Sequence, residues 1–245
     1  MEISMRTRTL LTIVLAATLG AGAMTVQAAD LAYAPLYTKA PVVDACNPWM
    51  IRLRVLGVVP DVGGTSVNVA GVPLLSSPHS ALSISDQVIP ELDISYFFTR
   101  NIAAELILGV TTHHIIGTGT LNGLDIGKAS LLPPTLTLQY HFTDFGAFKP
   151  YVGAGINYTV FFNQSAANTP FAGLVVTDLR ISNQVAPAVQ FGFDYMLDPH
   201  WGLNFDVKKL WLRPSYSALA NNTIPVFGHA NMDPWLVSGG IAYKF

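Results

Sequence analysis

Between Leu131 and Phe162 the chain changes character at every second residue. Leu136, Leu138, Tyr140 and Phe142 alternate with Thr137, Gln139 and His141. Beyond a short connection, Val152, Ala154, Ile156, Tyr158 and Val160 alternate with Gly153, Gly155, Asn157 and Thr159. A period of two sends successive side chains to opposite faces of a strand. The pattern recurs over Trp49–Val58, Gln87–Phe98, Ile102–Thr111, Gln184–Met196, Trp201–Trp211 and a last run that ends on Ile241, Tyr243 and Phe245. Eight such segments are joined by connections that alternate long and short. The short ones are Thr99–Asn101, Thr143–Pro150 and Leu197–His200; the long ones are Val59–Asp86, 112–132, 163–183 and Leu212–Pro234.

What covers these apolar faces follows from composition. Hydrophobic residues make up 51% of the chain and charged residues 11%, whereas an ordinary soluble domain carries about 25% charged residues. Much of the surface must therefore meet something other than water, yet no run approaches the roughly 20 apolar residues of a membrane-spanning helix. Strands resolve the conflict, because alternation hides their hydrophobicity. The expected fold is all-β: an eight-stranded antiparallel transmembrane β-barrel over residues 49–245, with short periplasmic turns and long extracellular loops. Tyr96, Phe98, Tyr140, Phe142, Tyr195, Trp201, Tyr243 and Phe245 fall near the short turns or the terminus, as a periplasmic aromatic girdle requires.

Residues 1–28 read as a signal peptide: Arg6 and Arg8 precede an apolar core, and Val26-Gln27-Ala28 offers a small-residue cleavage site. Residues 29–48, rich in Ala, Pro and Tyr, read as a periplasmic N-terminal arm. The single cysteine, Cys46, excludes an internal disulfide and a zinc motif. A net charge of −2 argues against a nucleic-acid partner.

An eight-stranded barrel has room inside for side chains or one small ligand, so the inward-facing residues are informative. With the first strand running outward, parity puts Arg52, Arg54, Glu91, Asp93, Ser95, Glu105, Gln139, His141, Asn157, Gln190, Asp194, Asn204, Asp206 and Lys208 in the lower and middle interior. Both signs of charge are present. In a confined space they should pair, which predicts a polar plug built on Arg52, Arg54, Glu91, Asp93, Glu105, His141, Asp206 and Lys208. Nearer the long loops the same parity selects Leu56, Ile89, Pro133, Phe161, Ala186, Leu210 and Leu236. An apolar mouth above a charged plug suits a hydrophobic solute; alternatively, it is only a seat for loops folded inward.

A solute held above a plug must leave sideways. Proline cannot donate to a strand ladder, and Pro133 with Pro134 marks a candidate lateral gap; the competing reading is that these prolines simply end a strand at the rim. Catalysis has little support. His141 is the one histidine that parity turns inward on a strand, and it has no sequence-adjacent nucleophile. His113 and His114 point to opposite faces if the strand continues, which disfavours a metal site. No cofactor motif is present.

Several segments resemble the OmpW family of outer-membrane proteins, which includes alkane-uptake relatives. The most specific are LPPTL at 132–136 and KPYVGAGINYT at 149–159. Asn101–Leu106, Asp206–Lys209 and Asp233-Pro234-Trp235 support them, and the likeness covers about Trp49 to Phe245. It implies an outer-membrane location, an eight-stranded barrel, a largely hydrophobic interior and passive uptake of small hydrophobic molecules. In such a setting outer-membrane lipid, lipopolysaccharide and hydrophobic solutes are the partners. Tyr243-Lys244-Phe245 resembles the signal read by the barrel-assembly machinery. The alternative is a structural or receptor barrel whose loops bind partners without transport.

Overall fold

The computed structural model describes residues 47–245; the expected signal peptide, nearly all of the expected N-terminal arm and Cys46 lie outside the described residues. Eight strands form the wall: β1 (Trp49–Val59), β2 (Gln87–Phe97), β3 (Ile102–Leu108), β4 (Thr135–His141), β5 (Phe148–Ala166), β6 (Gln184–Met196), β7 (Trp201–Leu210) and β8 (Trp235–Lys244). Each pairs antiparallel with the next, and β1 pairs with β8 from Met50↔Lys244 to Val59↔Trp235, so the sheet closes. Closure leaves no sheet edge to expose backbone groups to lipid.

The outer face of this wall is predominantly apolar. Leu53, Leu138, Ile156, Val185 and Phe191 are each more than half exposed. In water that surface would be a liability; against hydrocarbon it is the stabilising contact. The girdle at the short-turn end is a set of edge-to-face pairs: Trp49 with Tyr96 at 4.9 Å, Tyr140 with Phe142 at 5.0 Å, and Trp201 with Tyr243 at 4.8 Å between ring centroids. The turn between β6 and β7 is fastened by Asp198, whose carboxylate accepts the backbone N–H of Trp201 at 2.6 Å and of His200 at 2.8 Å. Those two bonds hold its carboxyl below the usual carboxylate range.

The long connections are more ordered than their composition suggests. β3 stops at Leu108 rather than Thr111, and a hairpin of Thr111–Gly119 and Asp125–Leu132 rises above it, flanked by Ser80–Ile84 on one side and the upper part of β5 on the other. A separate four-stranded sheet combines Val176–Ile181, Ser215–Ala220, Ile224–His229 and Asn68–Val69. These strands are short and sit among Gly, Pro and Ser, so their alternation is too brief to stand out in sequence. Tyr216 and Ala218 nevertheless face one core with Leu82, Ile115, Leu131 and Phe161. The result is an apolar lobe above the wall, whose burial stabilises the loops by the ordinary hydrophobic effect.

Candidate functional site: a charged plug beneath an apolar cavity

The lower interior is a network of ion pairs withdrawn from solvent. Arg52 reaches two carboxylates, with Nη1 3.1 Å from Asp93 and Nη2 2.7 Å from Asp194; none of these side chains is more than 2% exposed. Arg54 pairs with Glu91, with Asp93 at 3.1 Å and with Glu105 at 3.4 Å. Lys208 pairs with Asp206 and with Glu105 at 3.4 Å. Alternating inward positions on β1, β2, β3, β6 and β7 deliver these groups, and the ring of strands brings them within bonding distance. A buried ion pair persists only when the remaining hydrogen-bonding capacity is also met. Here Ser95 Oγ accepts from Arg52 Nη1 at 2.7 Å and donates to Asp93 at 3.0 Å. Asn204 donates to Asp194 at 2.9 Å, and its Oδ1 accepts from Arg54 at 3.0 Å.

Tyr151 completes the plug, and parity reading omitted it because the sequence pattern of β5 only becomes clear after Pro150. Its hydroxyl donates to Asp206 at 2.9 Å and accepts from Asn204 at 3.0 Å, while the Arg52 guanidinium lies 5.6 Å from its ring centroid. Room for the ring comes from Gly192, where a Cβ would stand 2.6 Å from the Tyr151 oxygen. His141 packs against Tyr151 and Phe97, with ring centroids 4.8 and 4.9 Å apart, and its Nε2 is 2.8 Å from Gln139 Oε1. With Ser95 committed to Arg52 and Asp93, no nucleophile–base couple forms around His141.

Above the plug lies a small apolar cavity of about 30 Å³. Leu56, Ile89, Pro133, Leu210 and Leu236 line it, joined by Val58, Ile107, Leu131, Leu212, Met232 and Pro234. Two residues assigned to the mouth from sequence do not line it. Phe161 and Ala186 point inward, but they are packed in the core of the extracellular lobe. Parity holds for both, and Phe161 sits higher than the cavity because β5 runs on to Ala166 and Phe161 pairs with Leu131 of the hairpin. A second small apolar cavity, about 40 Å³, sits within the lobe beside Val69, Leu82, Leu124, Val176 and Tyr216. At the opposite end a wider space of about 270 Å³ opens between Arg100, His141, Lys149, Asp194 and Lys244.

The wall beside the lower apolar cavity is interrupted. β2 and β3 pair from Phe97↔Ala103 to Leu92↔Leu108, and Gln87–Glu91 have no ladder partner on the β3 side. Between β3 and β4 the ladder stops at Ile107↔Thr135 and resumes at Thr111↔Leu131. That register sets Leu108–Val110 opposite Leu132–Pro134, two residues of which lack an N–H. The prolines are tied to β5 instead: Tyr158 N–H donates to the Pro134 carbonyl at 3.0 Å, and Asn157 Nδ2 donates to that of Pro133 at 3.0 Å. Ile89 closes the first break, lying so near Gly109 that a Cβ there would be 3.0 Å from its Cδ1. Pro90 stands in the unpaired stretch, on the outer face. His113 and His114 do diverge, the first buried and the second exposed. Among the described residues no group of three His, Cys, Asp or Glu side chains is placed to hold a metal.

The OmpW family model matches residues 48–245. An uncharacterized outer-membrane protein, y4mB, of Sinorhizobium fredii is 56% identical over 81% of this chain and 80% of its own length. Outer membrane protein W of Vibrio cholerae is 34% identical over 80% of this chain and 88% of its own. Among solved structures, the outer membrane protein OprG of Pseudomonas aeruginosa superposes with a TM-score of 0.72 at 27% identity, covering 80% of this chain and 95% of that one.

Proposed function

This chain belongs to the OmpW family of outer-membrane barrels, and from that premise we propose that it is a passive route for small hydrophobic molecules. Solutes are captured from outside in the apolar cavity over the plug and released sideways into the membrane. The observation that carries this reading is the vertical order of the interior. A small apolar cavity, lined by Leu56, Ile89, Leu210 and Leu236, sits directly on a network of ion pairs that are essentially unexposed. An ion or sugar that entered from above would have to give up its hydration in the cavity and then displace paired charges. A hydrophobic solute gains from the cavity and is stopped by the plug, so its lower-cost way out is through the wall. Supporting a lateral step, the cavity borders both interruptions of the ladder through Ile89, Leu108, Gly109 and Pro133. Opening there separates side chains without breaking backbone hydrogen bonds, which the rest of a lipid-facing wall cannot do cheaply. The terminal Tyr243-Lys244-Phe245, at the end of β8, is the segment proposed to be read by the barrel-assembly machinery.

The test compares cells with and without the protein for uptake of an alkane and of a sugar of similar size. The expected result is faster alkane uptake with unchanged sugar uptake. A barrel carrying Pro90→Ala, Pro133→Ala and Pro134→Ala regains three N–H groups across the breaks and should take up alkane several-fold more slowly. Undiminished uptake by that folded variant would remove the lateral step, and equal gain for both solutes would remove the hydrophobic selectivity.

A further inference from the structure

The cavity above the plug is not wholly apolar. Three of its lining residues, Glu91, Thr111 and His113, are each 2% exposed. Each keeps one polar atom without a partner in the protein: Glu91 Oε2, Thr111 Oγ1 and His113 Nε2. Buried polar atoms are normally satisfied, and three exceptions around one cavity require an explanation. The two neighbouring bonds define what is missing. His113 Nδ1 is 2.6 Å from the Ser85 carbonyl. A carbonyl only accepts, so Nδ1 carries the proton, and in the uncharged ring Nε2 is a bare lone pair. Glu91 gives its other oxygen to Arg54, which leaves Oε2 as an acceptor. Thr111 can accept or donate. The vacant capacity is therefore mainly acceptor, inside an otherwise hydrocarbon lining.

Resting on the transport reading above, we infer that the cavity selects apolar molecules bearing one uncharged hydrogen-bond donor, a hydroxyl or an N–H. Such a solute buries its body against Leu210, Leu236 and their neighbours and donates to the His113–Thr111–Glu91 side. A plain alkane leaves those acceptors unsatisfied. An anion meets lone pairs, and a permanent cation loses its hydration in an apolar space. Glu91 and Thr111 also flank the unpaired stretch between β2 and β3, so a solute leaving by that break passes them. Sites built to hydrogen-bond a hydroxyl discriminate strongly against analogues that lack it, because the site's own groups are otherwise left unpaired.

Decanol and decane separate this inference from the reading beneath it. Protein-dependent uptake of each is measured in cells with the wild-type barrel, with H113F, with T111V and with none. Folding of every barrel is checked by its shifted migration on unheated gels. The expected result is that H113F and T111V each lower the ratio of decanol to decane uptake at least threefold. T111V keeps the side-chain shape, so the test survives if H113F fails to fold. Equal protein-dependent uptake of both solutes, with neither variant altering the ratio, would overturn the donor selectivity while the hydrophobic route stands; the three atoms are then served by water. No protein-dependent uptake of either solute would overturn the route itself, and this inference with it.

Discussion

The two halves of the barrel interior are built from the same strands and obey the same parity, yet they are opposite environments. On β1, Arg52 and Arg54 point into the plug, and two residues on Leu56 points into the cavity. On β7, Asp206 and Lys208 belong to the plug and Leu210 to the cavity. Each strand thus changes content at about the same height. The lower half is polar: its charges pair both between adjacent strands, as Arg54 with Glu91, and across the barrel, as Arg52 with Asp194. The upper half is apolar and holds the small cavity beside the interrupted ladder. Ion pairing dominates below and hydrocarbon packing above.

The contrast can be broken most severely from below. Arg52→Leu strands Asp194, and partly Asp93, in an interior with little water. It should cost about 3–5 kcal/mol, read as a shift in urea unfolding of the barrel in lipid vesicles. Adding Asp194→Leu to that variant should recover part of the loss, since the charge left unpaired is then removed; no recovery would mean that the two side chains are not coupled. An apolar truncation above should hurt less. Leu210→Ala enlarges a cavity that already exists, costs about 2–3 kcal/mol in the same assay, and is expected to admit bulkier hydrophobic solutes. Smaller again is Gly192→Ala, whose methyl meets the Tyr151 oxygen and the Phe205 carbonyl. Overpacking of that kind costs about 1–3 kcal/mol, and it should appear as altered near-ultraviolet signal from a displaced Tyr151. The smallest effect belongs to a charge pair of the same type placed in water. Arg180 and Asp178, 3.2 Å apart in the lobe, are 78% and 45% exposed. Arg180→Ala should change stability by about 0.5 kcal/mol or less; a loss approaching that of Arg52→Leu would undo the distinction drawn between the two regions.

Much of this was readable one strand at a time. The eight wall strands, the outward apolar face and the inward position of all eight plug residues depend only on a two-residue period, which is local. Where the period was short or interrupted, sequence said less. The lobe strands are mostly five to nine residues long and lie among turn formers, so they read as loops. Tyr151 follows a proline at the start of a strand and was not recognised as inward. Phe161 had the right face and the wrong height.

The sequence by itself therefore determined that this chain is a membrane barrel, which side of each strand meets lipid, and that charge lies low inside and hydrocarbon high. Those facts follow from alternation and composition. Only the tertiary structure decided which charges pair, where space remains and where the strand ladder is interrupted. Arg52 meets Asp194, 142 residues away, across the barrel rather than along the sheet. The break beside Ile89 and Gly109 exists because a hairpin leaves the wall at one particular register. Side-chain direction is a property of neighbouring peptide units, whereas pairing and void space depend on how eight strands are staggered around a closed ring.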